Sequence, residues 1–271
     1  MNTYFLLQVF SSFLIGGFLI TLLSLLAERS SERISGIIMM FPSTIVLGFF
    51  FLGWSTSAAQ ISQIAPATLI PLGIVILSSV FYTYVALVIS KCIYSKFWQI
   101  IVTIVISIVI WFILAAPFAL RKFNNLYVGI TGYFMLVMLA HFIMKRHEYK
   151  EVLIRPRYTK YQIFLRGIFM GTIIASVVIM GKILNPFWGG IFAMFPAATF
   201  AALITFHFYY VPEKLFYFMK KAPLGSVSLF TYVICSMLFF SRYGLILGTA
   251  FSYLICLGVS LLLVKISKYF D

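Results

Sequence analysis

Nine blocks of apolar residues, each about the length of a membrane-crossing helix, follow one another along the chain with short polar or basic interruptions. They lie at about 4–27, 34–54, 66–90, 97–119, 123–144, 163–184, 187–209, 224–241 and 243–264. A bilayer core about 30 Å thick takes about 20 apolar residues in helical form. Lipid leaves the backbone no partner but itself, so helix is the default for runs of this length. The least marked boundary is Ser241-Arg242-Tyr243, inside roughly forty apolar residues. One helix of that length does not fit a bilayer, and a tight hairpin is expected there. The pattern predicts an all-α polytopic membrane protein with nine transmembrane helices.

Composition turns the pattern into an exclusion. Of 271 residues, 63% are hydrophobic and 10% charged, with a mean hydropathy of +1.08. A soluble domain carries about 45–50% apolar and about 25% charged residues. A soluble fold of this size cannot hide so much apolar surface, which excludes a cytosolic enzyme, a nucleic-acid module, a disulfide scaffold and a disordered tail. The net charge of +14, from 20 Lys+Arg against 6 Asp+Glu, would point to nucleic acid in a soluble chain. Here the positive-inside rule accounts for it. With nine spans and the N-terminus outside, the inside loops hold 16 basic residues, against Arg121, Lys122, Lys182 and Arg242 outside. Eight or ten spans scramble that bias, so an N-out/C-in topology is expected. The basic 145–166 stretch reads as a cytoplasmic anchor, with contact to anionic lipid headgroups as a second reading. The first apolar run lacks a basic segment before Phe5 and continues to Ala27. That is longer than the roughly 7–15 residues of a signal-peptide core, so it reads as a retained first helix. Cys92, Cys235 and Cys256 are scattered without metal-ligand spacing.

The chain also contains itself twice. Gly36-Ile37-Ile38-Met39-Met40-Phe41-Pro42 matches Gly190-Ile191-Phe192-Ala193-Met194-Phe195-Pro196 at five of seven positions, at an offset of 154. The same offset places Gly17 on Gly171. An Ala-Pro pair opens the next helix in each half: Ala65-Pro66 lies 24 residues after Pro42, and Ala222-Pro223 lies 27 after Pro196. Expected helices 1–4 then match helices 6–9, with helix 5 left over. Four helices plus one linker bring the second copy into the membrane from the opposite side, so the repeats are inverted. The expected units are a first four-helix repeat at 1–120, a linker helix with its basic loop at 121–160, and a second, inverted repeat at 161–271. Inverted repeats recur in secondary transporters, where the substrate sits near the midplane between the copies.

The stretch Gly36–Thr44, the Phe49-Phe50-Phe51 triplet and the Ala65–Ile89 helix resemble the GlpM family of small four-helix bacterial inner-membrane proteins. The resemblance covers Ser24 to about Val88, and more loosely helices 6–8. Members are about half this length, so the resemblance implies a fused, inverted pair of such units in the bacterial inner (plasma) membrane. It speaks to architecture more than to reaction. The second copy departs from the motif, with Ala197-Ala198 where the first has Ser43-Thr44.

Candidate chemistry is sparse. Pro42 is the ninth residue of its expected 21-residue span and Pro196 the tenth of its 23-residue span, both near the midplane. Each should kink or break its helix, and a helix restarting there offers free N–H groups at a positive helix end. The packing alternative is a filled proline kink. Gly36, Gly48, Gly53, Gly189 and Gly190 flank the prolines and are expected to serve close helix approach. Hydroxyl-rich stretches follow on the next helices: Ser78, Ser79, Tyr82, Thr83 and Tyr84, then Ser228, Thr231, Tyr232 and Ser236. Most of these hydroxyls can bond to their own backbone. His141 and His207 are expected at helix ends as interfacial residues. No mid-membrane carboxylate, His-Glu-x-x-His or Gly-x-Ser-x-Gly occurs, so neither catalysis nor a metal or other cofactor is expected. The reading is a secondary transporter or permease for a small polar or anionic solute. Its site residues are Phe41, Pro42, Ser43, Thr44, Phe195, Pro196, Ala197, Thr199, Tyr82 and Tyr232. Its expected partners are membrane lipid and a small-molecule substrate, not nucleic acid, in a monomer or homodimer. A non-transporting scaffold of an envelope pathway and a lipid-handling protein are the alternatives.

Overall fold

The computed structural model describes residues 3–28, 42–145 and 159–266. They form helices only: α1 (Thr3–Glu28), α2 (Ser43–Ser55), α3 (Ala58–Ile64), α4 (Leu69–Cys92), α5 (Lys96–Leu120), α6 (Leu126–Lys145), α7 (Lys160–Ile183), α8 (Pro186–Ala193), α9 (Ala197–Tyr209), α10 (Leu215–Met219) and α11 (Ala222–Ile266). Among the described residues, seven helical stretches are long and apolar enough to cross a membrane. Large apolar side chains such as Phe10, Phe18, Ile113, Met135 and Leu254 are exposed around the outside. On a soluble protein such a belt would drive aggregation; in a bilayer it meets lipid. The chain is a helical membrane protein.

Seven stretches, not nine, follow from how two expected spans are built. Of the 34–54 run only α2, 13 residues long, lies within the described residues. The 224–241 and 243–264 runs form the single 45-residue α11, with Gly244 at φ 74, ψ −174 inside it. That conformation is essentially open to glycine alone. Straight, α11 would measure about 67 Å. Instead the Cys256 thiol donates to the carbonyl of Ser228 at 3.1 Å, residues that would stand about 42 Å apart along a straight helix. The chain folds back at Gly244, and Gly248 packs on Phe240. The turn falls where Ser241-Arg242-Tyr243 predicts it. Ser62 of α3 pins it by accepting from the Ser241 N–H at 2.9 Å and donating to the Ser236 carbonyl at 3.3 Å.

Helix starts follow local capping chemistry. Thr159 and Gln162 form a reciprocal capping box at α7, and Asn185 caps α8 with Pro186 in its first turn. Ala65-Pro66 does not open a helix: it sits in a 3₁₀ turn, Ala65–Thr68, that joins α3 to α4. In the second half α11 does start at Ala222, preceded by the short α10. α3 and α10 begin at equivalent distances before their Ala-Pro pairs.

Glycines set the closest helix contacts. A Cβ on Gly17 would lie 2.6 Å from the Gly167 carbonyl and 3.1 Å from the Gly171 Cα. Gly16 faces Ile174, and Gly167 faces Thr21. Partner numbers fall as α1 numbers rise, so α1 and α7 cross antiparallel. Gly48 lies on Ala193, Gly53 on Leu245, Gly189 on Gly181 and Gly190 on Ile64. The structure gives each the packing role expected of it, and Gly36 lies outside the described residues.

Leucine at Gly17 must displace backbone, a destabilisation of about 1–3 kcal/mol or more. It is expected to lower the melting temperature of the purified protein in detergent. Gly258→Leu, whose Cβ meets nothing within 4 Å, is expected to leave it unchanged; equal melting of the two variants would contradict the crossing.

Candidate functional site

Two half-helices begin at the two prolines with the same geometry. Pro42 caps α2 at φ −75, ψ 31, and Pro196 caps α9 at φ −75, ψ 48. Each proline stands one residue before its helix, at the cap, and not at the first helical position. The Pro42 carbonyl accepts from Val46 N–H and the Pro196 carbonyl from Phe200 N–H, both at 2.8 Å. Ahead of Pro196 the second-half helix is broken: α8 ends at Ala193, and Met194 and Phe195 cross to α9 without helical structure. Ala197 N–H turns back to the Phe195 carbonyl at 2.7 Å. The N–H groups of Ala198 and Thr199 have no carbonyl partner among the described residues, as the first turn of a helix dictates.

The two starts face each other. Pro42, Thr44 and Ile45 from α2, and Met194 through Thr199 from the break, line one cavity together with Leu72, Val75 and Leu229. It encloses about 30 Å³, room for about two water molecules. Eight of its twelve lining residues form four pairs: Pro42 with Pro196, Thr44 with Ala198 and Ile45 with Thr199 at the 154 offset, and Leu72 with Leu229 at equal distance from their Ala-Pro pairs. α2 runs alongside α8 in the opposite sense, with Gly48 on Ala193 and Leu52 on Gly189. α2 and α9 therefore leave the cavity in opposite directions, and both point their N-terminal ends into it. Trp111 holds the break in place, its ring 4.9 Å from that of Phe195, with Phe200 on another side at 5.8 Å.

Hydroxyls elsewhere in the membrane helices follow the backbone reading. Ser78 and Ser79 donate to Val75 O, Thr83 to Val80 O, Ser228 to Gly225 O, Thr231 to Val227 O and Ser236 to Val233 O. Thr44 and Thr199 differ. Thr44 is the second residue of α2 and Thr199 the third of α9, four residues after Phe195, which lies outside any helix. They are 7% and 5% exposed, they line the cavity, and neither hydroxyl has a partner among the described residues.

The remaining expected site residues divide. Phe195, Pro196 and Ala197 line the cavity beside Pro42; Phe41 lies outside the described residues. Ser43 points elsewhere, into an outward groove of about 400 Å³ with Leu19, Leu47, Phe50, Ile246 and Tyr253. Tyr82 and Tyr232 are buried but do not line the cavity. Tyr232 lies against Phe49 and its hydroxyl is unpartnered among the described residues. Tyr82 packs on Phe200, and its hydroxyl meets His207 Nδ1 at 3.3 Å. His207 is fully buried, a correction to its expected interfacial place: α9 turns it inward onto α4 instead. His141 is exposed, as a helix-end position suggests. Ile45, Leu72, Val75 and Leu229 were not singled out from the sequence. The equal spacing of the two leucines from the Ala-Pro pairs was the available signal. No known protein family, curated protein or solved structure matches the chain.

Tyr82→Phe removes the contact to His207 and leaves its Nδ1 without that partner. A loss of about 0.5–1.5 kcal/mol is expected in detergent unfolding, with secondary structure unchanged by circular dichroism. Stability equal to wild type would show that the bond contributes nothing.

Proposed function

We propose that this protein is a secondary transporter or permease of the inner membrane, with its substrate site at the cavity between Pro42 and Pro196. The observation that carries the reading is the composition of that cavity: residues related by the internal repeat meet there in pairs. In an inverted repeat this is the behaviour of residues beside the pseudo-two-fold axis. The antiparallel crossing of α1 and α7 through Gly17 and Gly171 supports the same axis, because a helix and its inverted copy must run in opposite senses. The proposal includes nine spans, counting the two arms of α11 separately and the 34–54 run as one, with the N-terminus outside. The GlpM resemblance fits it as two such units fused head to tail.

Broken helices at membrane depth are tolerated only where protein or a cavity covers them, and transporters use them to present backbone groups to a solute. The cavity is small in this arrangement, with room for about two waters, so transport requires the two halves to move around it. The scaffold reading draws on that same tight packing: a packed centre needs no opening. The two are separated by uptake into vesicles. Pro42→Ala and Pro196→Ala supply the missing N–H and let the helix run on, so they are expected to fold and to abolish uptake. Thr44→Val is expected to weaken it, and Ser43→Ala, which faces the outer groove, to leave it near wild type. Uptake unaffected by all of these would place the site elsewhere.

Topology has its own measurement. In a Cys92→Ser background, since Cys92 is exposed and the other two cysteines are buried, a cysteine introduced at 145–160 is expected to react only from the cytoplasmic side. One at Asn185 should react only from outside. Labelling of both from one side removes the inverted repeat.

A further inference from the structure

Resting on the transport reading, we infer that the solute taken at the central cavity is a small monovalent anion, of halide to short-carboxylate size. Among apolar groups, the described residues present several donors there. The N–H groups of Ala198 and Thr199 and the hydroxyls of Thr44 and Thr199 have no partner of their own. Three of the carbonyls there already accept: that of Pro42 from Val46, that of Pro196 from Phe200 and that of Phe195 from Ala197.

Charge leads to the same class. No Lys, Arg, Asp or Glu lines the cavity among the described residues. Its electrostatics come from the two half-helices α2 and α9, each 13 residues long, whose N-terminal ends converge on it. Each end is equivalent to about +0.5 elementary charge, felt within the first turn. Two together amount to about +1, which balances one anionic charge and leaves a dianion under-compensated. A neutral solute gains nothing from that field, and a cation is opposed by it. The apolar walls from Ile45, Leu72, Val75 and Leu229 keep water from screening the field, so its effect is larger than at a surface.

Size limits the class further. About 30 Å³ accommodates roughly two waters, and therefore an ion of a few atoms in this arrangement. The Thr44 and Thr199 hydroxyls are the natural donors to it, because both are buried at the cavity and neither bonds another described residue.

The test uses the full chain, purified and reconstituted into phosphatidylethanolamine–phosphatidylglycerol vesicles. Flux of chloride, formate and acetate is compared with that of urea as neutral probe and methylammonium as cation, at constant ionic strength. Anion flux is expected, with little for urea or methylammonium. Thr44→Val and Thr199→Val, which keep the shape and remove the hydroxyl, are each expected to reduce anion affinity about two- to tenfold. Thr205→Val is the control, since its hydroxyl bonds the Ala201 carbonyl in its own helix, and should match wild type. Melting of each variant in detergent, with and without the same salts, reads binding apart from movement. Urea or methylammonium flux that falls in Thr199→Val, without anion flux, overturns the anion inference and leaves the transport reading standing. Anion flux unchanged in both cavity variants overturns the cavity as the anion site. Absence of flux and of any salt-dependent melting shift for every probe overturns both readings.

Discussion

Lipid offers the backbone no hydrogen-bonding partner, and the two helix starts at Pro42 and Pro196 are where this chain meets that constraint at its centre. Most of the other membrane helices satisfy their own amides along their length, while α11 folds back at Gly244. At Pro196 the ladder is interrupted beside the start of α2 at Pro42, and the groups freed there must be covered by protein or by a cavity. The structure does both. Trp111 and Phe200 close around Phe195 at the break, and the remaining free groups face one small enclosed space. An interruption that only bent a helix would be filled by its neighbours; here two interruptions share one void.

Close approach of the flanking helices makes that sharing possible. Without a hydrophobic drive between helices in lipid, small residues decide where backbones can touch. Gly17 and Gly171 let α1 and α7 cross backbone to backbone, and Gly48 on Ala193 does the same for α2 and α8. These contacts hold the two half-helices beside one another in opposite senses, and the opposite senses bring both N-terminal ends to the same point. Packing and electrostatics are thus one arrangement: small residues permit the approach, and the approach sums two weak helix-end fields.

Hydroxyl chemistry distinguishes the site from the rest of the interior. A serine or threonine within a helix has a carbonyl one turn behind it, and most use it, as Ser78, Thr83, Ser228 and Ser236 do; Thr103 and Ser252 do not. Thr44 and Thr199 stand at helix starts and bond no other described residue. At Pro196 the helix break leaves both free amides and the free Thr199 hydroxyl.

The apolar runs and their prolines, read against bilayer thickness, were sufficient by themselves for the helical membrane class, for the hairpin near Ser241, and for the helix break at Pro196. Each of these depends on local chemistry: run length, proline's missing N–H, a bilayer too thin for forty helical residues. The internal match between Gly36–Pro42 and Gly190–Pro196 also contained four of the residues that line the cavity, Pro42, Met194, Phe195 and Pro196. Tertiary structure decided what local chemistry cannot. It separated Thr44 from Ser43, adjacent in sequence but about 100° apart around a helix, so that one faces the cavity and the other a lipid-side groove. It drew Leu72 and Leu229 into the centre, left Tyr82 and Tyr232 beside it, and buried His207 against Tyr82. Which side of a helix meets which neighbour depends on crossing angle and depth, set by all the helices together; no stretch of sequence carries that information alone.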